Sequence, residues 1–531
     1  MPNAIEALLL AIDHQRAGRL SEAEVLVRTA LLIEPEQPSA LYLLGTLTLA
    51  TGRPAEAAAL LTRAELLRPH HRDQTLTLAR ALIATGHAAE ALDVCSGLTA
   101  DPSLTEAHFL AGCAANALGR HAEAAQAFRQ VLAVTPHHAP ALLNLGNACV
   151  DADDLDNAEA YTRAAIANAP GLAEAHASLG HLLTVKGRPL EAIASCWEAA
   201  KLEPDLAQAH WNRGVAHLLA GQFAEGWDAY EWRKRRYPRC YPPLPGPQWE
   251  GEALDGRTIL VRAEQGFGDA VQFARYLPLL TKRGAHVILQ AASPLLSLLQ
   301  RIPDILVVER GCPTPHDLWV DQMSLPGLFH TAANTIPGAS GYLTPDPILA
   351  EAYDAALPFG LRIGVAWAGN PAHHNDRRRS MPVSALAPIV GAGARMLVSL
   401  QVGSQAADIS KVFGIKDLSH QLTDFAATAA VIAGLDLVIT VDTAVAHLAG
   451  ALGIPTWLML AHAPDWRWML NRDDSPWYSS MRLFRQERPG DWPGVVERVA
   501  AALADIVRPS ESFLFPSYQP AVANASALGS Y

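Results

Sequence analysis

One punctuation mark recurs through the first half of this 531-residue chain and limits what it can fold into. Pro35, Pro69, Pro102, Pro136, Pro170 and Pro204 stand 34, 33, 34, 34 and 34 residues apart. Gly18, Gly52, Gly86 and Gly119 keep the same beat, Asp153 takes the next place, and Gly187 and Gly221 complete the series. Glycine accepts the positive φ of a tight turn and proline ends a helix, so each period predicts two helices around a short turn. A single hairpin cannot bury its apolar face, whereas hairpins stacked side by side can. Six clear units and a seventh ending near Arg236 predict an α-solenoid over residues 1–236.

The period and its punctuation resemble the tetratricopeptide repeat. The resemblance implies an array that binds polypeptide and leaves any chemistry to the rest of the chain. Two positions before the small residue at each helix crossing stand Leu43, Thr77, Leu110, Asn144, Ser178 and Asn212. The last three form a polar ladder that suits either hydrogen bonding to an extended peptide or ordinary bonds between helices. Asn144-Leu145-Gly146-Asn147 closely resembles the repeats of protein O-GlcNAc transferases. There such asparagines line an acceptor groove, which implies that role for Asn144, Ser178 and Asn212.

A formal charge of −12 argues against sequence-independent nucleic-acid binding, which needs a basic face, and no nucleic-acid partner is expected. Six scattered cysteines without a CxxC pair fit neither a zinc site nor a disulfide framework. The only Asp-x-Asp near a turn, Asp151-Ala152-Asp153, reads as the substitute for a turn glycine, so no metal is expected. The chain shows no basic leader and no run of 18 apolar residues, so a cytoplasmic protein without a membrane span is expected. The basic cluster from Arg233 to Arg239 reads as a solvated helix end, and residues 237–256 as a semi-rigid Pro-rich linker.

After Gly256 the pattern becomes strand–helix alternation. Strands are predicted at 258–262, 285–290 and 305–308, then again from 361, at 396–401, 435–441 and 455–460. This predicts an N-terminal Rossmann-like lobe (257–350) and a C-terminal one (358–508), with a tail (509–531) partly disordered. Two open α/β halves place a cleft between the carboxyl ends of their strands.

Three motifs carry candidate chemistry. Gly266-Phe267-Gly268-Asp269 joins a strand to a helix, where glycines admit a ligand and Asp269 suits the helix N-terminus. Val271 replaces the third glycine of the dinucleotide fingerprint, so no NAD or FAD is expected. Asp442-Thr443 follows a buried strand and opens a helix that carries His447 one turn on, an arrangement that suits a diphosphate. Trp367-Ala368-Gly369-Asn370 ends a strand and leads into Arg377-Arg378-Arg379. Each also has a plainer reading, as a turn with a helix cap for the first two and a solvated surface turn for the third.

Together these motifs resemble the heptosyltransferase-like glycosyltransferases (family 9-like, GT-B fold), which move heptose from an ADP-sugar in lipopolysaccharide synthesis. The likeness covers about residues 256 to 505. It implies Asp269 as catalytic base and Arg379 on the donor diphosphate. It also implies donor binding by Gly266, Gly268, Trp367, Asn370, Asp442, Thr443 and His447. Arg379 stands where that family commonly has Lys, Ala444 where it has Gly, and the loop after the last strand reads HAPDWRWM, so ADP-heptose is not carried over. The joint architecture is similar to that of bacterial tetratricopeptide–glycosyltransferase fusions.

The fold expected is therefore a tetratricopeptide α-solenoid followed by a GT-B α/β fold. The function expected is metal- and cofactor-independent, inverting transfer of a sugar from a nucleotide-sugar to a hydroxyl of a protein recruited by the repeats. A non-catalytic scaffold with a degenerate sugar-nucleotide domain, and transfer to a lipopolysaccharide or polysaccharide, stand as alternatives.

Overall fold

Seven turns in the first half carry a positive φ: 75° at Gly18, 76° at Gly52, 81° at Gly86, 73° at Gly119, 64° at Asp153, 71° at Gly187 and 78° at Gly221. Asp153 therefore does the work of a turn glycine, as its place in the series predicts. Aspartate is among the few other residues that visit this region. The computed structural model describes residues 3–69, 71–338, 341–373, 375–392 and 397–507; the tail from 509 lies outside them. Two units emerge, Met1–Pro243 with Asp465–Leu470, and Leu244–Pro464 with Asn471–Tyr531.

The first unit consists of seven helical hairpins. They are α1 (Ala4–Arg16) with α2 (Leu20–Ile33), α3 (Pro38–Ala50) with α4 (Pro54–Leu67), and α5 (Arg72–Ala84) with α6 (Ala88–Ser96). Then follow α7 (Thr105–Ala117) with α8 (His121–Val134), and α9 (Ala139–Asp151) with α10 (Leu155–Asn168). The last are α11 (Ala173–Val185) with α12 (Pro189–Leu202), and α13 (Ala207–Leu219) with α14 (Phe223–Tyr230). Buried alanines such as Ala57, Ala124, Ala158 and Ala192 let the helices cross closely, and Leu61, Phe128 and Leu179 fill the seams.

Ion networks repeat with the fold. On α2, Glu24 meets Arg28 of its own helix at 2.7 Å and also pairs with Arg53, which bridges to Glu56 at 3.0 Å. On α10, Glu159 meets Arg163 at 2.8 Å, Lys186 at 2.9 Å and Arg188 at 2.9 Å, and Arg188 reaches Glu191 at 2.6 Å. Each network ties the second helix of one hairpin to the next hairpin.

The array closes on aromatic residues. Trp466, from the short segment assigned to this unit, packs edge-on against Trp227 at 5.4 Å and Tyr230 at 5.9 Å. In the basic run after α14, Arg235 and Arg239 are exposed as expected of a solvated helix end, but Arg233 departs from it. Arg233 is fully buried, bonded to Glu231 at 2.5 Å and laid over the Tyr230 ring at 5.3 Å. A guanidinium stacks on aromatic faces more readily than an ammonium, which makes such burial tolerable.

The second unit holds two parallel sheets. The first orders its strands β3-β2-β1-β4, from β1 (Thr258–Arg262), β2 (His286–Ala291), β3 (Ile305–Glu309) and β4 (Leu318–Asp321). The second orders them β10-β9-β8-β5-β6-β7. Its strands are β5 (Ile363–Ala366), β6 (Leu397–Ser399), β7 (Ile415–Asp417), β8 (Leu437–Val441), β9 (Thr456–Leu460) and β10 (Met481–Arg485). Counted from β5, that is the order 3-2-1-4-5-6 of doubly wound nucleotide-binding sheets. The second sheet's central strands β5, β8 and β9 are near-continuous buried apolar runs, as expected of a sheet covered on both faces.

Within this unit the sheets meet through helices Phe267–Phe273 and Ala444–Leu452. Buried Arg275 fastens the meeting: its Nη1 donates to the Trp477 carbonyl at 2.7 Å, its Nη2 to the Tyr342 hydroxyl at 3.2 Å, and it lies over the Tyr478 ring at 4.7 Å.

Candidate functional site

In a sheet of this order, the connections leaving β5 and β8 run to opposite faces, so a crevice opens at the carboxyl ends of those two strands. The loops there are Trp367–Asn370 after β5 and Asp442–Thr443 after β8. The structure thus brings together two motifs that lie more than 70 residues apart in sequence.

The loop after β5 is held from beneath. Trp367 is buried in the sheet's core, which corrects the expectation that its side chain binds the donor. Gln401, buried just beyond β6, accepts from the Trp367 and Ala368 N–H groups at 3.1 and 3.0 Å and donates to the Ala368 carbonyl at 3.0 Å. Gly369 N–H donates to the Ser380 hydroxyl at 2.8 Å, and that hydroxyl donates to buried Asp376 at 2.9 Å. Arg379 is folded over this loop: a Cβ at Gly369 would stand 2.8 Å from its Nη2 and 3.0 Å from its Nε. Among the described residues its one carboxylate neighbour is Asp376, at 3.4 Å from Nε. The terminal guanidinium nitrogens therefore keep their capacity for an anion. Asn370 is exposed, and its Oδ1 accepts from the Ala372 N–H at 3.0 Å in a tight local turn.

Across the crevice, Thr443 caps helix Ala444–Leu452 with extended backbone, φ −143° and ψ 174°. Its side chain makes no capping bond and lies 3.4 Å from the Thr440 hydroxyl. The Ala446 N–H donates to the Thr443 carbonyl at 3.0 Å, whereas the N–H groups of Ala444 and Val445 are not taken by the Thr443 side chain, the condition under which a helix start accepts an anion.

His447, for which the resemblance implies donor binding, is held between the two sheets' helices instead. It is buried, its Nδ1 pairs with the Tyr478 hydroxyl at 2.9 Å, and its ring lies against the other sheet's helix. Gly268 is glycine for the same reason. A Cβ there would stand 2.6 Å from His447 Cδ2, so its smallness serves the contact between helices and not the approach of a ligand. Gly266 is exposed and donates its N–H to Asp269 Oδ2 at 2.8 Å. Asp269 therefore reaches back to cap its own helix, beside the junction where Gly268 meets His447.

The repeat ladder also divides. Asn212 is buried and donates to the Ala177 carbonyl of the preceding hairpin at 2.9 Å. A buried amide must be paired, and this one is paired between helices, so Asn212 leaves the acceptor groove. Asn144 donates to the Pro140 carbonyl of its own helix at 2.9 Å. Ser178 is half-buried on α11. Sequence reasoning missed Gln401, Ser380 and buried Glu264, which accepts from the Met323 N–H at 2.9 Å between the β1 and β4 loops. Each is an unremarkable polar residue until the sheet places it beneath a loop.

Comparison with known proteins places the first unit in a class. Two sequence profiles described as tetratricopeptide repeat match the chain, over residues 8–69 and 109–173 and over residues 48–108. The amino-terminal part is a tetratricopeptide-repeat array, a module that typically mediates protein interactions, and a parallel α/β unit follows it. Protein FlbA of Caulobacter vibrioides (strain ATCC 19089 / CIP 103742 / CB 15) is 28% identical over 432 residues, 74% of this chain and 72% of that protein. That span is longer than the repeat unit, so the likeness extends into the α/β unit. Among solved structures, a tetratricopeptide repeat protein from Parabacteroides merdae ATCC 43184 is 20% identical with a TM-score of 0.39, over 44% of this chain and 92% of its own. PilF of Pseudomonas aeruginosa is 16% identical with a TM-score of 0.33, over 39% of this chain and 94% of its own. No helix among the described residues is long and apolar enough to cross a membrane.

Proposed function

We propose that the α/β unit is a nucleotide-sugar-dependent glycosyltransferase of the GT-B type, acting on the hydroxyl of a protein that the repeats recruit. One observation carries the reading. Arg379, with terminal nitrogens left for an anion, is folded onto the loop at the carboxyl end of β5, and the helix start at Thr443 stands at the adjacent strand. A nucleoside diphosphate needs such a pair of positive groups at a switch point.

In this reading the bond between the anomeric carbon and the diphosphate oxygen breaks while the acceptor oxygen forms the new bond from the opposite face. The acceptor's proton passes to Asp269, and the departing diphosphate's charge is met by Arg379 and the N–H groups beyond Thr443. Asn370 shapes the donor side, and Asp442 borders it. Loss of one such preorganised contact costs about 10²–10³ in rate.

A second reading has its own support. Asp269 already caps the Gly266 N–H, and Gly268 and His447 serve packing, as suits a domain that binds a nucleotide-sugar without using it. Two variants separate the readings. Asp269→Asn keeps an oxygen for the Gly266 N–H and removes only the base, so a transferase loses turnover while retaining donor affinity. Arg379→Ala weakens donor binding in either case. Turnover unchanged in Asp269→Asn removes the catalytic assignment, and donor binding unchanged in Arg379→Ala removes the site.

A further inference from the structure

The register of the repeats exposes one residue out of place. Immediately before the crossing residue of successive hairpins stand Leu44, Leu78, Ala111, Leu145 and Leu179, all buried and apolar. The seventh hairpin carries Arg213 there, on α13. Its Nη1 is buried and makes no hydrogen bond among the described residues, while Nη2 meets His210 Nδ1 at 3.3 Å. The guanidinium lies 4.8 Å over the ring of Trp197, a side chain about half exposed. No carboxylate of the described residues lies within ion-pair distance of it.

These groups line a cavity of about 540 Å³ between α12, α13 and α14. Trp232 forms another wall, stacked on His210 at 3.9 Å, and Glu225 and Asp228 stand exposed at the rim. That volume falls within the range of small-ligand pockets. An apolar residue at the position would cost nothing, whereas Arg213, half-buried and without a counter-ion, leaves a buried donor without an acceptor. The stacking on Trp197 and the bond to His210 compensate it only in part, and the remaining donor points to an acceptor from outside the fold.

We infer that this pocket binds a peptide segment of a partner protein bearing a carboxylate side chain next to a basic one. The guanidinium offers parallel N–H donors, the fit for a carboxylate. Glu225 and Asp228 repel a dianionic phosphate at the rim and attract a neighbouring lysine or arginine. Tryptophan and arginine together are the residues that most often dominate protein interfaces. The inference concerns recognition by the repeats alone and does not depend on the chemistry of the α/β unit.

The test uses the full-length protein on an array of synthetic octapeptides. One set pairs Asp or Glu with a nearby Lys or Arg, a matched set replaces the acids by Asn or Gln, and a third carries phosphoserine. Retention of the first set, with the amide set weaker by about tenfold or more, is expected. Arg213→Leu restores the residue type of the other repeats, so it should melt at or above the wild-type temperature, yet lose the acidic set to a similar extent. Asp228→Lys should lose the preference for a basic neighbour. Equal binding of acid and amide sets, unchanged binding by Arg213→Leu, or preference for phosphoserine would each overturn the inference.

Discussion

Asp153 holds the left-handed turn that glycine holds in six sister positions, at a cost of roughly 1–2 kcal/mol for a residue with a side chain. Asp153→Gly is therefore expected to raise stability by about 1 kcal/mol, read from thermal unfolding, and a lower melting temperature would contradict it. That position was legible because a strict period makes any substitute conspicuous. Gln401 was not legible: a glutamine after a short strand looks like any other until β6 is laid beside β5. Its removal in Gln401→Ala leaves the Trp367 and Ala368 N–H groups buried without their acceptor, at about 1–3 kcal/mol for each group. The expected result is lower stability together with weaker nucleotide-sugar affinity, measured by denaturant unfolding and calorimetry. Gly268 and His447 mark the opposite lesson. A glycine in the first turn of a helix invites a ligand reading, but only the structure reveals that a neighbouring helix occupies the space.

Among the elements, helices were easier to read than strands. Each hairpin announces itself by period, turn residue and proline, whereas β4, β7 and β10 escaped. β7 is only Ile415–Asp417, β4 follows a stretch rich in turn residues, and β10 carries Arg482 and Arg485 at the sheet's edge. The links between hairpins are electrostatic as well as apolar, and they titrate. Burial raises the pKa of Glu159, but hydrogen bonds from Lys186, Arg163 and Arg188 outweigh it and bring it from 4.5 down to about 2. Hydrogen bonding from Arg53, helped by Arg28 against burial, brings Glu24 down to about 2 as well. A depressed carboxylate stabilises the fold above its unfolded pKa and ceases to do so as pH falls through its folded one. Glu159→Gln should thus melt below wild type at pH 7, with the difference closing between pH 4.5 and about 2. A difference that stays constant across that range would contradict the assignment.

At the scale of the molecule, the sequence located the change from repeats to α/β architecture but not its exact membership. The repeat unit was expected to end at 236; it runs to Pro243 and takes in Asp465–Leu470 from far along the chain. No local pattern can announce a contact of that sequence separation. Trp466→Ala removes an aromatic packed between Trp227 and Tyr230 and should cost about 3–5 kcal/mol in thermal unfolding. The parallel α/β character of the second sheet, by contrast, followed from strand–helix alternation, whereas its strand order, and with it the crevice between β5 and β8, came only with the structure. The most direct test of that crevice is calorimetric titration of the full-length protein with a panel of nucleotide-sugars, alongside Arg379→Ala. Saturable binding of at least one nucleotide-sugar, weakened about tenfold or more in Arg379→Ala, is the result expected of a diphosphate held at the switch point. Binding of none of them, or binding indifferent to Arg379, would contradict it.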